Sequence, residues 1–309
     1  MQSSMKSAGG TELQVNYLNK YLDLSKYENI NLIINQAAFK RIEAKKKNIL
    51  WCHHYIDQPS IKLLKNAELV KLLDAIVFVS EWQKGEFINH FNLPENKCHV
   101  LKNAVNIEPI KENKTNKKIR LIYTSTPWRG LNVLANSIQY LNEKRDDFHL
   151  DVYSSTEIYG EKFHNENKAN FENFFKQLSQ IPNITSHGYV PNNEIISKLK
   201  EADIFVYPTT SNETFCIAAL EALASGCLTF TTDWGAFKEL GENYIELIEF
   251  DTNLKNLSTK FAERLSYLMD EYKSGKFNQK LLSQSDYYSK KYSWIKRAEE
   301  WTNFLNKYI

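Results

Sequence analysis

The sequence predicts an α/β protein made of two Rossmann-like halves that face each other across a cleft. Three observations carry that reading. Short apolar runs alternate with longer helical patterns along the whole chain. The 309 residues are enough for two domains, each with its own core. One polar seam, Asn106–Lys118, separates two of the apolar runs.

Strand candidates in the first half are Ile30–Asn35, Asn48–His53, Ala75–Ser80 and His99–Lys102. Those in the second half are Ile119–Thr124, His149–Tyr153, Ile204–Tyr207, Leu228–Thr231 and Tyr244–Ile248. Helical stretches lie between several of them: Glu12–Leu22, Leu131–Leu141, Ile195–Glu201 and Thr214–Ser225. Alternation at this spacing predicts parallel sheets joined by right-handed crossovers. The first helix follows Gly9-Gly10 with no strand before it. Either the first sheet lacks a strand, or the chain begins partway into a longer product. Ser285–Ile309 reads as one long helix, with Trp294, Trp301, Phe304 and Tyr308 as a packing stripe at near-helical spacing.

Composition excludes several classes. The hydrophobic fraction of 42% and charged fraction of 25% are those of an ordinary globular protein. Seventeen Tyr, seventeen Phe and six Trp suit stacking on sugars or bases, and equally a packed core. Net charge is +2 and divides evenly: 15 Lys/Arg against 12 Asp/Glu over residues 1–112, and 24 against 25 beyond. No dedicated nucleic-acid footprint is present. The basic run Lys40, Arg41, Lys45, Lys46 and Lys47 fits a solvated face or a contact with an anionic surface. Cys52, Cys98, Cys216 and Cys227 show no paired spacing, and Cys52 and Cys227 lie in apolar runs, which implies a reducing compartment. The chain shows no membrane span and no signal-peptide core. The cytoplasm is the expected location, with peripheral membrane contact left open.

No G-x-G-x-x-G, P-loop or Asp-x-Asp occurs, and the seven His form no ligand cluster. Neither a cofactor nor a metal is expected. Adjacent His53 and His54 at a strand end would point to opposite faces.

The most informative segment is Ala202–Leu240. A buried strand, Ile204–Tyr207, ends in a polar loop, and a helix is expected to start near Glu213-Thr214. Loops at the carboxyl ends of parallel strands line the ligand crevice, and a helix N-terminus suits a phosphate. Glu221, eight residues past Glu213, would then sit only about 80° around the helix from it, on one side.

Glu213 and Glu221 within E-T-F-C-I-A-A-L-E-A-L-A-S-G resemble the paired-Glu motif of retaining glycosyltransferases of family four, the glycosyl transferases group 1, which have the GT-B fold. The motif is preceded by a strand and followed by Ser225-Gly226, a second strand and Trp234-Gly235…Glu239. In that family the first Glu contacts the donor sugar and the second hydrogen-bonds the ribose. Gly9-Gly10-Thr11-Glu12 resembles the N-terminal glycine loop that approaches the diphosphate. His54 resembles the cleft His on the donor sugar, with His53 as the alternative. Ser80-Glu81 and Asn103-Ala104-Val105-Asn106 resemble the serine loop and hinge. Pro127-Trp128-Arg129-Gly130 resembles the Pro-Glu-Lys-Gly turn, where Arg129 would meet the diphosphate through a bidentate guanidinium. His187-Gly188-Tyr189-Val190 resembles the loop whose backbone reads the base. Tyr292-Ser293-Trp294 resembles the start of the terminal helix that crosses back.

The resemblance implies domains at 1–110 (acceptor side) and 111–284 (donor side), with 285–309 packing on the first. It implies catalytic roles for Glu213, His54 and Arg129. The implied donor site is Gly9, Gly10, Thr124, Ser125, Arg129, Tyr189, Val190, Thr214, Phe215, Cys216, Ile217 and Glu221. This chain departs from the pattern in four places. Thr214 and Cys216 replace glycines, Thr124 or Ser125 stands where a second cation is usual, Ala104 replaces the hinge glycine, and the first strand is missing. The implied reaction is metal-independent transfer of a sugar from a UDP-, GDP- or ADP-sugar to a glycan, lipid-linked sugar or other hydroxyl, with retention. An epimerase or phosphorylase of the same fold, or a non-catalytic nucleotide-sugar-binding subunit, are the alternatives.

Overall fold

The computed structural model describes residues 9–157 and 161–309. Helix α1 (Gly10–Tyr21) comes first, and among the described residues no strand precedes it. Four strands follow: β1 (Ile30–Ile34), β2 (Lys47–Cys52), β3 (Ala75–Phe78) and β4 (Cys98–Val100). They form one parallel sheet in the order β1-β2-β3-β4. Helices α2 (Ala67–Leu72) and α3 (Glu81–Phe91) complete its crossovers.

The apolar runs of β2 and β3 are continuous because both faces of the sheet are covered. Leu50, Cys52, Ile76 and Phe78 face a cluster that includes Leu69 and Phe87 from α2 and α3. Their neighbours Ile49, Trp51, Ala75 and Val77 point the other way, onto Leu18 of α1 and onto Trp294 and Trp301 near the C-terminus. Side chains alternating between faces fix this register.

The second sheet contains β5 (Ile119–Tyr123), β6 (Phe148–Val152), β7 (Ile184–Ser186), β8 (Ile204–Tyr207), β9 (Leu228–Thr232) and β10 (Glu246–Ile248), in the order β10-β9-β8-β5-β6-β7. Its helices are α4 (Leu131–Asn142), α5 (Glu161–Leu178), α6 (Asn192–Glu201), α7 (Ile217–Ala224), α8 (Phe237–Gly241) and α9 (Leu254–Lys273). The chain builds outward from β5 through β6 to β7, then returns to β8 on the other side. The strand order therefore reverses between β5 and β8, and the crevice at such a switch point is where ligands bind in open α/β sheets. Strand β7 had no counterpart among the sequence candidates. It is three residues long and has only one buried side chain, Ile184, so it gives no alternating pattern to find.

The C-terminal expectation needs correction. Ser285–Ile309 is not one helix: α10 (Asn278–Lys291) and α11 (Trp294–Leu305) are separated at Tyr292-Ser293. Ser293 caps α11 by accepting from the Lys296 N–H at 3.3 Å, while the Tyr292 carbonyl accepts from the Val105 N–H at 2.8 Å. A Ser cap and a carbonyl committed to a distant segment both end helical pairing. Helix α10 stays with the second sheet, where Gln284 and Ser285 bond to carbonyls at the end of α7. Only α11 packs on the first, with Tyr17 stacked on Trp294 at 5.6 Å. Among the described residues no helix is long and apolar enough to cross a membrane.

Candidate active site

The loops after β5 and β8 meet at the switch point, and glycine permits the contact. Gly130 has φ +89°, and a Cβ there would lie 1.9 Å from the Pro208 carbonyl oxygen. The Tyr123 hydroxyl ties the first loop down by donating to the Thr126 carbonyl at 2.8 Å and the Arg129 carbonyl at 3.2 Å. This delivers the Arg129 guanidinium to the carboxylate of Glu213, with which it forms an ion pair. The Tyr207 hydroxyl, from the end of β8, donates to the same carboxylate oxygen at 2.7 Å. Ser125 Oγ lies 3.3 Å from that hydroxyl.

Glu213 itself is 7% exposed. Its backbone pairs with Gly235 in a parallel bridge, and its carbonyl accepts from the Ala236 N–H at 2.8 Å. Gly235 has φ +83°, and a Cβ there would come within 2.5 Å of the Glu213 carbonyl oxygen. The Trp234-Gly235 pair after β9 thus has a physical purpose: it holds the segment bearing Glu213.

The helix expected to start at Glu213-Thr214 starts at Ile217, with Cys216 as its cap. Glu213 lies in extended backbone before it and neither caps it nor shares its face with Glu221. The stretch Thr214–Cys216 is held instead by the first half of the chain. The Thr214 hydroxyl donates to the His53 carbonyl at 2.8 Å, and Asn103 Nδ2 donates to the Phe215 carbonyl at 2.9 Å. Backbone and side-chain groups committed to partners outside the helix do not wind into its first turn.

Glu221, on α7, is 6% exposed and accepts from Asn192 Nδ2 at 2.8 Å. Burial pushes its carboxyl up to about 7, against the lowering effect of the Asn192 bond. Asn192 opens α6, two residues after Tyr189-Val190, so the expected base loop and Glu221 are joined through it. Burial also raises the Tyr17 phenol, and the charge of Glu221 adds to the effect.

From the first half of the chain, Gly10 opens α1 against the start of α7. A Cβ on Gly10 would lie 2.9 Å from Ile217 Cδ1. Gln14 anchors this helix to the hinge: its amide donates to the Ala104 carbonyl at 2.9 Å and accepts from the Ala104 N–H at 3.0 Å. Asn35, in left-handed backbone after β1, donates to Thr11 Oγ1 at 3.2 Å and accepts from the His53 N–H at 2.6 Å. His54 has its ring against Ser60, Nδ1 to Oγ at 2.8 Å, and burial lowers its pKa. The His53 ring packs on Trp51 at 4.5 Å; burial pushes it down to about 3, and its Nε2 has no partner.

Of the expected residues, Arg129 pairs with Glu213, Gly10 meets Ile217, Thr214 bonds to the His53 carbonyl and Phe215 accepts from Asn103. Glu221 is linked to the segment after Tyr189-Val190 through Asn192. Thr124 Oγ1 is buried without a partner beside the Arg129 loop. Sequence reasoning missed Tyr207, Asn192, Asn35 and Gln14. It also missed the contact in which Glu239 pairs with Lys102 at 2.8 Å and accepts from the Glu81 and Trp82 N–H groups at 3.1 and 2.9 Å, capping α3 from the other sheet. Tyr207 and Glu239 lie within Ala202–Leu240, yet neither is singled out by its residue type. Among the described residues no group of three or more His, Cys, Asp or Glu could hold a metal ion.

Two facing parallel-sheet domains with a helical C-terminus define a GT-B architecture, and comparison with solved structures agrees. TarM of S. aureus superposes with TM-score 0.64 at 17% identity, covering 96% of this chain and 58% of its own. A glycosyltransferase from Rickettsia africae gives 0.65 at 18%, covering 99% and 83%. HepE of Anabaena, in complex with UDP and glucose, gives 0.67 at 14%, covering 90% and 78%. The chain thus spans less than two thirds of TarM. Curated proteins give no sequence match. The sequence profile of the glycosyl transferases group 1 matches residues 104–281, more than half of the chain. The protein belongs to that family.

Proposed function

We propose that the protein transfers a sugar from a nucleotide-diphosphate donor to an acceptor hydroxyl, with retention at the anomeric carbon and without a metal. The observation that carries this reading is the convergence of Arg129, Glu213 and the start of α7 at the switch point, directly against Gly10. The family membership supports glycosyl transfer. HepE and pneumococcal GtfA, both solved with UDP, make UDP-sugars the first donors to try.

In this reading the nucleoside lies toward Glu221 and the Tyr189-Val190 loop, and the diphosphate lies between Arg129, the α7 N-terminus and Gly9-Gly10. The C1–O bond to the diphosphate breaks with its electron pair going to the phosphate. The acceptor oxygen forms its bond to C1 on the same face and gives its proton to the departing phosphate oxygen. The developing charge is met by Arg129 and by the N–H groups that open α7, fixed donors in a water-poor site. The diphosphate competes with Glu213 for Arg129, which releases the carboxylate toward the donor sugar's hydroxyls. His54 or His53 supplies a further contact from the first domain, which also presents the acceptor, a glycan, lipid-linked sugar or other alcohol. The expected location is the cytoplasm.

The test is NMR of the product formed from UDP-glucose and other nucleotide sugars, in the presence and absence of EDTA. Retained configuration and undiminished turnover are expected. An inverted product, or activity that chelation abolishes and manganese restores, overturns the reading.

A further inference from the structure

The first sheet carries an outer layer whose chemistry differs from the rest of the molecule. Residues 36–72 hold eight Lys/Arg and three Asp/Glu, against thirty-one and thirty-four in the remainder, so this stretch carries the excess of positive charge. Three short elements make up the layer: the 3₁₀ turns Phe39–Arg41 and Pro59–Lys65, and α2. All three cover the same face of the sheet. Ile42, Ile61, Leu64, Leu69 and Val70 point inward to one shared cluster. The Ala37 N–H donating to the Ser60 carbonyl at 3.0 Å joins the first turn to the second.

The residues between those inward anchors therefore face out. Phe39, Leu63 and Leu72 are 46%, 45% and 47% exposed, three of the few large apolar side chains the described surface displays. Lys40, Lys45, Lys62 and Lys65 are exposed along the same stretch, and among the described residues no carboxylate is paired with any of these four. Two of the three acids, Glu43 and Glu68, are already occupied by Lys46 and Lys71. Uncompensated lysines interspersed with protruding apolar side chains match an interface that is anionic at its surface and apolar just below it.

We propose that this face docks the protein on an anionic lipid surface, with Phe39, Leu63 and Leu72 entering the headgroup boundary and Lys40, Lys45, Lys62 and Lys65 drawn to the lipid phosphates. The cleft is built at the carboxyl ends of the strands, whereas this face covers the broad side of the sheet, so docking leaves the donor site open. The inference is independent of the reaction proposed above.

Co-sedimentation of the full chain with phosphatidylcholine vesicles, with and without about one third phosphatidylglycerol, tests it. Binding is expected on the anionic vesicles alone, weakening as salt is raised. Lys62→Glu with Lys65→Glu, and separately Leu63→Ser with Leu72→Ser, should each lower the partition coefficient by roughly tenfold or more. Lys117→Glu with Lys118→Glu, a charge-matched control on the linking segment, should bind like the unaltered protein. Melting temperatures confirm that each variant is folded. Equal binding to both vesicle types, no binding to either, variants that bind normally, or a control that loses as much would overturn the proposal. So would retention of all the cationic protein on duplex DNA with none on vesicles.

Discussion

Arg129 and Glu213 neutralise each other across the switch point, and Tyr207 holds the carboxylate in place with a hydrogen bond of 2.7 Å. A buried carboxylate beside the place where a diphosphate would sit opposes anion binding unless a cation answers it. Arg129 does answer it, so in the ligand-free protein the site is close to neutral. An anion that meets Arg129 competes with Glu213 for its charge.

For Arg129→Ala, affinity for UDP should fall tenfold or more, on the order of 1.4–3 kcal/mol, while affinity for uridine changes little. Isothermal titration with both ligands checks this. Equal losses for the two would mean that Arg129 shapes the loop and does not meet the diphosphate.

Glu213→Gln separates two roles that the ion pair combines. An amide keeps the Tyr207 hydrogen bond but cannot neutralise Arg129, so UDP affinity should hold or improve. Turnover should drop by roughly a hundredfold, about 2.7 kcal/mol of transition-state stabilisation. The outcome that removes Glu213 from the chemistry is normal turnover together with tighter UDP binding.

The fold is largely legible because buried parallel strands are near-continuous apolar runs, as in β2, β3 and β8. What the sequence misled on was helix limits. The stripe Trp294, Trp301, Phe304 and Tyr308 is genuine helix periodicity, but it belongs to the α11 region alone, and the break at Ser293 depends on Val105 nearly two hundred residues earlier. The start of α7 is misplaced for the same reason: Asn103 and His53, both from the first half, hold Thr214–Phe215 outside the helix. Asn192 and Tyr207 escaped because a lone Asn at a helix start and a Tyr at a strand end are commonplace. They acquire meaning only when the strand order places them beside Glu221 and Glu213.

Gly235→Ala tests whether the segment after β9 positions Glu213. The substitution puts a methyl group 2.5 Å from the Glu213 carbonyl oxygen, on backbone at φ +83° that alanine resists. The strand-like bridge must open, and a loss of about 2 kcal/mol or more of stability is expected. Residual folded protein should show turnover reduced more than UDP affinity, because Arg129 remains while the carboxylate is displaced. Urea denaturation paired with kinetics below the unfolding range reads both. A variant with full stability would show that the two segments do not need to touch.

Glu221 makes the stability of the ligand-free protein depend on pH in an unusual direction. Burial raises its carboxyl from the ordinary 4.5 to about 7. Below pH 4.5 the group is protonated in both folded and unfolded chains, and its burial costs nothing electrostatic. Between 4.5 and 7 the unfolded chain loses that proton while the folded protein keeps it, so this contribution to stability falls as pH rises. Above 7 the loss is complete and amounts to something on the order of 3 kcal/mol. His53, held down to about 3, acts in the opposite sense: its contribution is lost as pH falls from 6.5 toward 3, so the raw profile mixes the two. The difference between the protein and Glu221→Gln isolates the carboxylate, since His53 is common to both. Unfolding free energies from urea titrations at pH 5, 6, 7 and 8 should show the variant gaining on the unaltered protein as pH rises, then holding level above about 7.5. Uridine binding should weaken in the same variant, because the amide offers the ribose one poorer acceptor. A stability difference that does not change with pH would mean that Glu221 is ionised throughout, its charge compensated by more than the single bond from Asn192.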